Sequence, residues 1–145
     1  MLRFVALVGL YVLATWFSEA FVRNPSQVTL FWPAAGVAFA AVLRYGWRWA
    51  LFIPPAVIIG HLLFVPVPNS FLAYSATSNF LGALAGYAAV RRTSRAPTLT
   101  VASGFNMLRG AAVMVLVSAL VGCYGLVQSG MTSASNYWPS LVNWA

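Results

Sequence analysis

Long apolar runs alternate with short polar or proline-containing segments along the whole chain. A helix that crosses a bilayer needs about 20 predominantly apolar residues, and five of the runs approach or reach this length. The predicted spans cover residues 2–22, 28–43, 49–65, 71–90 and 108–127. The pattern predicts an all-α fold, in which residues 1–145 form one polytopic transmembrane helix bundle of about five spanning helices.

Prolines and polar residues mark the predicted ends of these spans. Turns are predicted at residues 24–26 and 66–69, and Pro97 follows the fourth span. Proline lacks an N–H and disfavours the helical conformation in the residue before it, so it stops a helix. Ser103 or Asn106 is predicted to cap the fifth span, because short polar side chains accept hydrogen bonds from the first N–H groups of a helix.

The last residues carry an aromatic group that consists of Tyr137, Trp138 and Trp144. Tyr and Trp are enriched at membrane–water interfaces. The residues from Tyr137 onward make only about 12 Å of helix, whereas crossing the hydrocarbon core takes about 30 Å. We therefore expect a truncated or interfacial sixth helix.

The composition excludes a water-soluble domain. Hydrophobic residues make up 61 % of the chain and charged residues 6 %, against about 25 % charged residues in soluble domains. All eight basic residues are Arg and the only acid is Glu19, which gives a net charge of +7. The Arg residues lie between apolar runs, so membrane lipids with anionic headgroups are expected partners and nucleic acid is not.

The Arg distribution also predicts how the chain is oriented. If Met1 is cytoplasmic, seven Arg residues lie inside and only Arg23 lies outside. Cytoplasmic loops are enriched in Lys and Arg, so this orientation is the expected one. The residues that mark the cytoplasmic loops are Arg44, Arg48, Arg91, Arg92 and Arg95.

Small residues recur at intervals of four within three of the spans. Helices in a bilayer associate where small residues allow their backbones to approach closely. These residues predict either packing within the bundle or the seam of a homodimer. They are Gly36 in the second span, Ser78, Gly82 and Gly86 in the fourth, and Ser118 and Gly122 in the fifth.

Four residues are candidates for a ligand pocket, namely Glu19, Trp32, His61 and Asn79. Polar groups inside a membrane are costly, and all four lie in the predicted outer half of the bilayer. Each also has a structural interpretation. Glu19 can pair with Arg23 one turn later, Asn79 can bond to another helix, His61 can be a packing residue, and Trp32 can anchor a helix start.

Catalytic chemistry is not expected. The chain has no Asp, no second acid to pair with Glu19 and no glycine-rich phosphate loop. Cys123 is the only cysteine and His61 the only histidine, so no spacing indicates a metal site. The sequence requires no cofactor.

Three segments together resemble a known family, the first-type membrane-associated sensor family, which forms the integral membrane sensory region of bacterial signalling proteins. The segments are Phe31-Trp32-Pro33-Ala34-Ala35-Gly36, Ile59-Gly60-His61-Leu62-Leu63 and Ser78-Asn79-Phe80-Leu81-Gly82. The resemblance covers residues 28–127 and implies a multi-pass protein of the bacterial inner membrane. It also implies an N-terminal portion of a longer sensor, because family members continue into a cytoplasmic output domain.

The expected function is therefore a non-catalytic, membrane-embedded sensory or input module. An alternative is a small structural or accessory subunit that packs against other membrane protein subunits or forms a homo-oligomer. A component of a small transporter or channel is a third possibility, but it needs a path lined by more polar residues than the spans contain.

Overall fold

The computed structural model describes residues 1–21, 32–92 and 101–144, and every regular element within them is helical. This confirms the predicted all-α class for the described part of the chain. Two short 3-10 segments, Trp47–Phe52 and Ala134–Asn136, accompany six α-helices. The α-helices are α1 (Leu2–Phe21), α2 (Pro33–Tyr45), α3 (Ile53–Phe64), α4 (Asn69–Arg91), α5 (Val101–Gln128) and α6 (Tyr137–Trp144).

Three helical stretches in the described residues are long and apolar enough to cross a membrane. They are Leu2–Phe21, Trp47–Phe64 and Val101–Gln128. Helix α4 has 23 residues but carries several Ser, Thr and Asn side chains, and α2 has 13 residues. A helix as short as α2 measures about 20 Å, against about 30 Å for the hydrocarbon core. The structure thus supports a membrane protein, with three stretches of this kind.

Helix α2 begins at Pro33, later than the predicted start at residue 28. Residues 28–31 of the predicted span lie outside the described residues. Proline suits the first turn of a helix because its fixed φ matches the helix and its missing N–H would have no partner there. Trp32 consequently occupies the N-cap position of α2, whereas the prediction placed it one turn inside the helix.

The predicted third span is divided into two kinds of helix. Gly46 has a φ of 98°, which reverses the chain after α2. A 3-10 helix then runs over Trp47–Phe52, and α3 begins at Ile53 with Pro54 and Pro55 in its first turn. The two prolines lack the N–H groups that would continue an α-helical ladder from earlier residues, which explains the tighter helix before them.

Helix α5 begins at Val101, seven residues before the predicted start at Leu108. The predicted caps Ser103 and Asn106 are wrong, because both residues lie within the helix. No proline occurs after Val101 in this helix, and polar residues cost little near an exposed helix end. Arg109 therefore lies two turns inside α5, and its guanidinium donates a hydrogen bond to the backbone carbonyl of Ala89.

Successive helices of the bundle run in opposite directions. Tyr11 and Thr15 of α1 meet Phe52 and Gly60, in that order, so α1 and α3 are parallel. Trp32 precedes α2, and Phe71 lies in the first turn of α4. Both contact His61 near the end of α3, so α2 and α4 run in the direction opposite to α3. One end of the bundle therefore carries Arg3, Arg44, Arg48, Arg91 and Arg92.

Candidate functional site

A buried hydrogen bond between α1 and α4 forms the centre of a polar cluster. The Tyr11 hydroxyl donates to Oδ1 of Asn79 over 3.2 Å, and Nδ2 of Asn79 donates to the carbonyl of Ser75 over 2.9 Å. Tyr11 is fully buried and Asn79 is 7 % exposed. The amide of Asn79 thus holds two helices together while both of its ends are hydrogen bonded, as burial of an amide requires.

His61 connects α3 to the same cluster. Its Nδ1 lies 3.0 Å from the carbonyl oxygen of Val57, and its Nε2 lies 3.1 Å from Oγ of Ser75. A carbonyl only accepts hydrogen bonds, so Nδ1 carries the proton. In the neutral ring Nε2 then accepts from the Ser75 hydroxyl. Ser75 therefore serves both residues, His61 through its hydroxyl and Asn79 through its carbonyl.

Aromatic rings close the cluster toward the start of α2. The Trp32 and Phe71 rings each have their centroid 6.4 Å from that of His61. Side chains from four helices are thus linked in one network, which consists of Tyr11, Trp32, His61, Phe71, Ser75 and Asn79.

Local sequence explains why these side chains share a face. Phe71, Ser75 and Asn79 recur every four residues along α4, so they lie on one side of that helix. Tyr11 and Thr15 have the same spacing on α1. Thr15 is buried against Gly60, and its hydroxyl donates a hydrogen bond to the Tyr11 carbonyl. A glycine at position 60 lets α1 approach α3, which brings Tyr11 within reach of α4.

The structure brings together three of the four predicted pocket residues, namely Trp32, His61 and Asn79. The contacts that join them run through Tyr11 and Ser75. Glu19 is half-buried and lies one turn beyond Thr15 on α1, at the same end of the bundle. Its predicted partner Arg23 lies outside the described residues.

The α4–α5 interface contains most of the predicted packing residues. The Ser118 hydroxyl donates to the carbonyl of Ser78 over 3.2 Å. A Cβ atom added at Gly82 would lie 2.9 Å from the Met114 carbonyl oxygen, and one at Gly86 would lie 2.7 Å from that of Gly110. Only glycine fits at these two places, because real Cβ atoms do not approach backbone so closely. Gly122 is also buried on α5.

Gly36 does not take part in such an interface within the described chain. It is exposed, and no described atom lies within 4 Å of a Cβ added there. The reason is the rotation of α2, which turns Ala34, Ala38 and Ala41 inward instead. The predicted packing role of Gly36 inside the bundle is therefore wrong.

Sequence reasoning missed Tyr11 and Ser75. Tyr11 is one of few hydrogen-bonding side chains in the first apolar run, and a buried Tyr hydroxyl usually has a partner. Ser75 precedes Asn79 by one helical turn, a spacing that places both on one face. These two signals were available, but neither tells which helices face each other.

The cluster consists of hydroxyl, amide and imidazole groups that hydrogen bond to one another and to backbone carbonyls. Among the described residues, no group of three or more His, Cys, Asp or Glu residues is placed to hold a metal ion.

Comparisons of the chain with known protein families, curated proteins and solved structures find no match.

Proposed function

We propose that this chain is the membrane-embedded, non-catalytic input module of a bacterial inner-membrane signalling protein. Five helices cross the membrane, with α2 and α4 packed among the three long apolar stretches, and the N-terminus is cytoplasmic. A ligand or a change in the bilayer alters the helix arrangement. The Arg-rich end passes this change to a cytoplasmic partner.

The observation that supports this proposal best is the buried polar cluster. It links α1, the start of α2, α3 and α4 through hydrogen bonds and ring contacts. An unsatisfied polar group in hydrocarbon costs several kcal/mol, so a change in one partner forces the others to adjust. A change at one side chain of the cluster can therefore alter the packing of all four helices. The resemblance of residues 31–36 to the sensor family points the same way.

The test measures whether the cluster controls the opposite end of the bundle. Spin labels are placed at Val5→Cys on α1 and Ala88→Cys on α4, in a Cys123→Ala background, and the full chain is reconstituted in lipid nanodiscs. Val5 and Ala88 are both exposed and lie toward the Arg-rich end. Asn79→Leu removes the bond between α1 and α4, and Tyr11→Phe removes it with a smaller change of shape.

For an input module, both variants shift the distance distribution between the labels or add a second component to it. Thr77→Val is the matched control, because Thr77 is exposed on the same helix. A structural subunit gives a different result, in which Asn79→Leu and Tyr11→Phe lower the melting temperature but leave the distances unchanged. That outcome would contradict the proposal.

A further inference from the structure

A tight turn between α2 and the following 3-10 helix presents two Arg side chains on the surface. Gly46 has a φ of 98°, a conformation that favours glycine, and it reverses the chain between Arg44 and Arg48. Both Arg residues are exposed. The turn thus places two guanidinium groups only four residues apart at the end of the bundle.

Aromatic rings support each of these guanidinium groups. Cζ of Arg44 lies 5.5 Å from the centroid of the Tyr45 ring, and Cζ of Arg48 lies 5.6 Å from that of Trp47. Cation–π contacts of this kind restrict the side chains and leave the N–H groups available at the edge of the guanidinium. Arg91, at the end of α4, has the same relation to Tyr87 at 5.8 Å.

The charge at this end is not balanced by carboxylate side chains. Glu19 is the only acidic residue in the whole sequence, and it lies near the opposite end of α1. The guanidinium fork matches the geometry of phosphate oxygens and binds them through paired hydrogen bonds. The ligand chemistry that fits this surface is therefore an anionic phosphate group.

Exposed apolar side chains beside the turn indicate that the phosphate belongs to a phospholipid and is not a free ion. Trp47 is 56 % exposed and Leu51 is 61 % exposed. Both belong to the 3-10 helix that leads from the turn into α3. A free phosphate ion gains nothing from such neighbours, whereas the acyl chains of a phospholipid can cover them while its headgroup reaches the Arg residues.

We propose that residues 44–51, together with Arg91, form a binding site for the headgroup of an anionic phospholipid. Arg44 and Arg48 bind the phosphate, and Trp47 and Leu51 contact the upper part of the acyl chains. This site goes beyond the sensory role proposed above. It requires only that this end of the bundle lies at a membrane surface.

Native mass spectrometry of the full chain in detergent tests the site by titration with phosphatidylglycerol or phosphatidylcholine. The wild-type protein binds phosphatidylglycerol more tightly. The double variant Arg44→Gln/Arg48→Gln loses about thirtyfold in affinity for phosphatidylglycerol, the effect of two Arg residues at an anionic membrane surface. Arg44→Lys/Arg48→Lys keeps the charges but lacks the fork, so it binds with intermediate affinity.

Arg3→Gln/Arg109→Gln is the charge-matched control, and circular dichroism checks that each variant is folded. The proposal is overturned if this control loses as much affinity as the Arg44/Arg48 variant, since general attraction then explains binding. It is also overturned if the wild type does not distinguish the two lipids. Displacement of phosphatidylglycerol by millimolar inorganic phosphate, or by a short DNA duplex, would assign the surface to those ligands instead.

Discussion

The hydroxyl of Ser75 determines how His61 is held between three helices. It donates to Nε2 of His61 while the backbone carbonyl of Val57 accepts from Nδ1. The contact with the Val57 carbonyl requires a proton on Nδ1, and 7 % of the residue is exposed. One short side chain on α4 thus binds the Nε2 side of a buried histidine and joins α4 to α3.

Ser75→Ala should lower the stability of the protein by about 0.5–2 kcal/mol, because Nε2 of His61 loses its donor inside the membrane. Thermal unfolding in detergent measures the change. Thr77→Ala is the control on the exposed side of α4 and should have almost no effect. Equal melting temperatures for all three proteins would show that the Ser75–His61 bond does not contribute to stability.

Helix α4 makes two sets of contacts from one face. Ser75 and Asn79 lie in its first half and join the polar cluster. Gly82 and Gly86 lie farther along the same stripe, at helical spacing from Ser75 and Asn79, and pack directly against the backbone of α5. A rotation of α4 would disturb both sets of contacts together, so the packing of α5 and the geometry of the cluster depend on each other.

Gly86→Leu should destabilise the protein by about 1–3 kcal/mol, the usual cost of overpacking, because the new side chain meets Gly110 and Met114. Gly36→Leu is a matched control with the same change in helix propensity at an exposed position. The difference in melting temperature between the two variants isolates the packing contribution. A larger loss for Gly36→Leu would contradict this assignment and would indicate a partner helix on α2.

In the described part of the molecule, one end of the bundle is rich in Arg, whereas Glu19, Trp32, His61 and Phe71 lie toward the other end. Helices α1 and α3 are parallel, and α2 and α4 run in the opposite direction. This arrangement brings Arg residues from separate segments of the sequence to the same end. Arg23 and Arg95 lie outside the described residues. The asymmetry predicts that the Arg-rich end is cytoplasmic.

Single-cysteine labelling with a membrane-impermeant maleimide checks this orientation in a Cys123→Ala background. Trp47→Cys, at the Arg-rich end, should react only in inverted vesicles. Pro68→Cys, in the exposed turn before α4, should react in intact spheroplasts. Labelling of Trp47→Cys from outside would reverse the orientation, and labelling of both positions from one side would exclude the alternating arrangement.

The helical class and the location of most helices could be predicted from the sequence alone. In lipid every backbone N–H and C=O must be satisfied within its own segment, so a long apolar run has to be helical whatever surrounds it. The end of α4 follows from Arg91 and Arg92, and the end of α3 falls within a residue of the one predicted. The starts of α2 and α5 were predicted at the wrong residues. Pro33 begins α2 and does not lie within it, and no proline between 101 and 108 delays the start of α5.

The tertiary structure alone decided which polar side chains meet. Trp32, His61 and Asn79 were predicted at similar depths, but depth does not fix the rotation of a helix about its axis. That rotation depends on close contacts such as Gly60 against Thr15 and Gly86 against Gly110. These contacts turned Tyr11 and Ser75 into the cluster and Gly36 away from it, because helices in a bilayer are oriented by the shapes that pack between them.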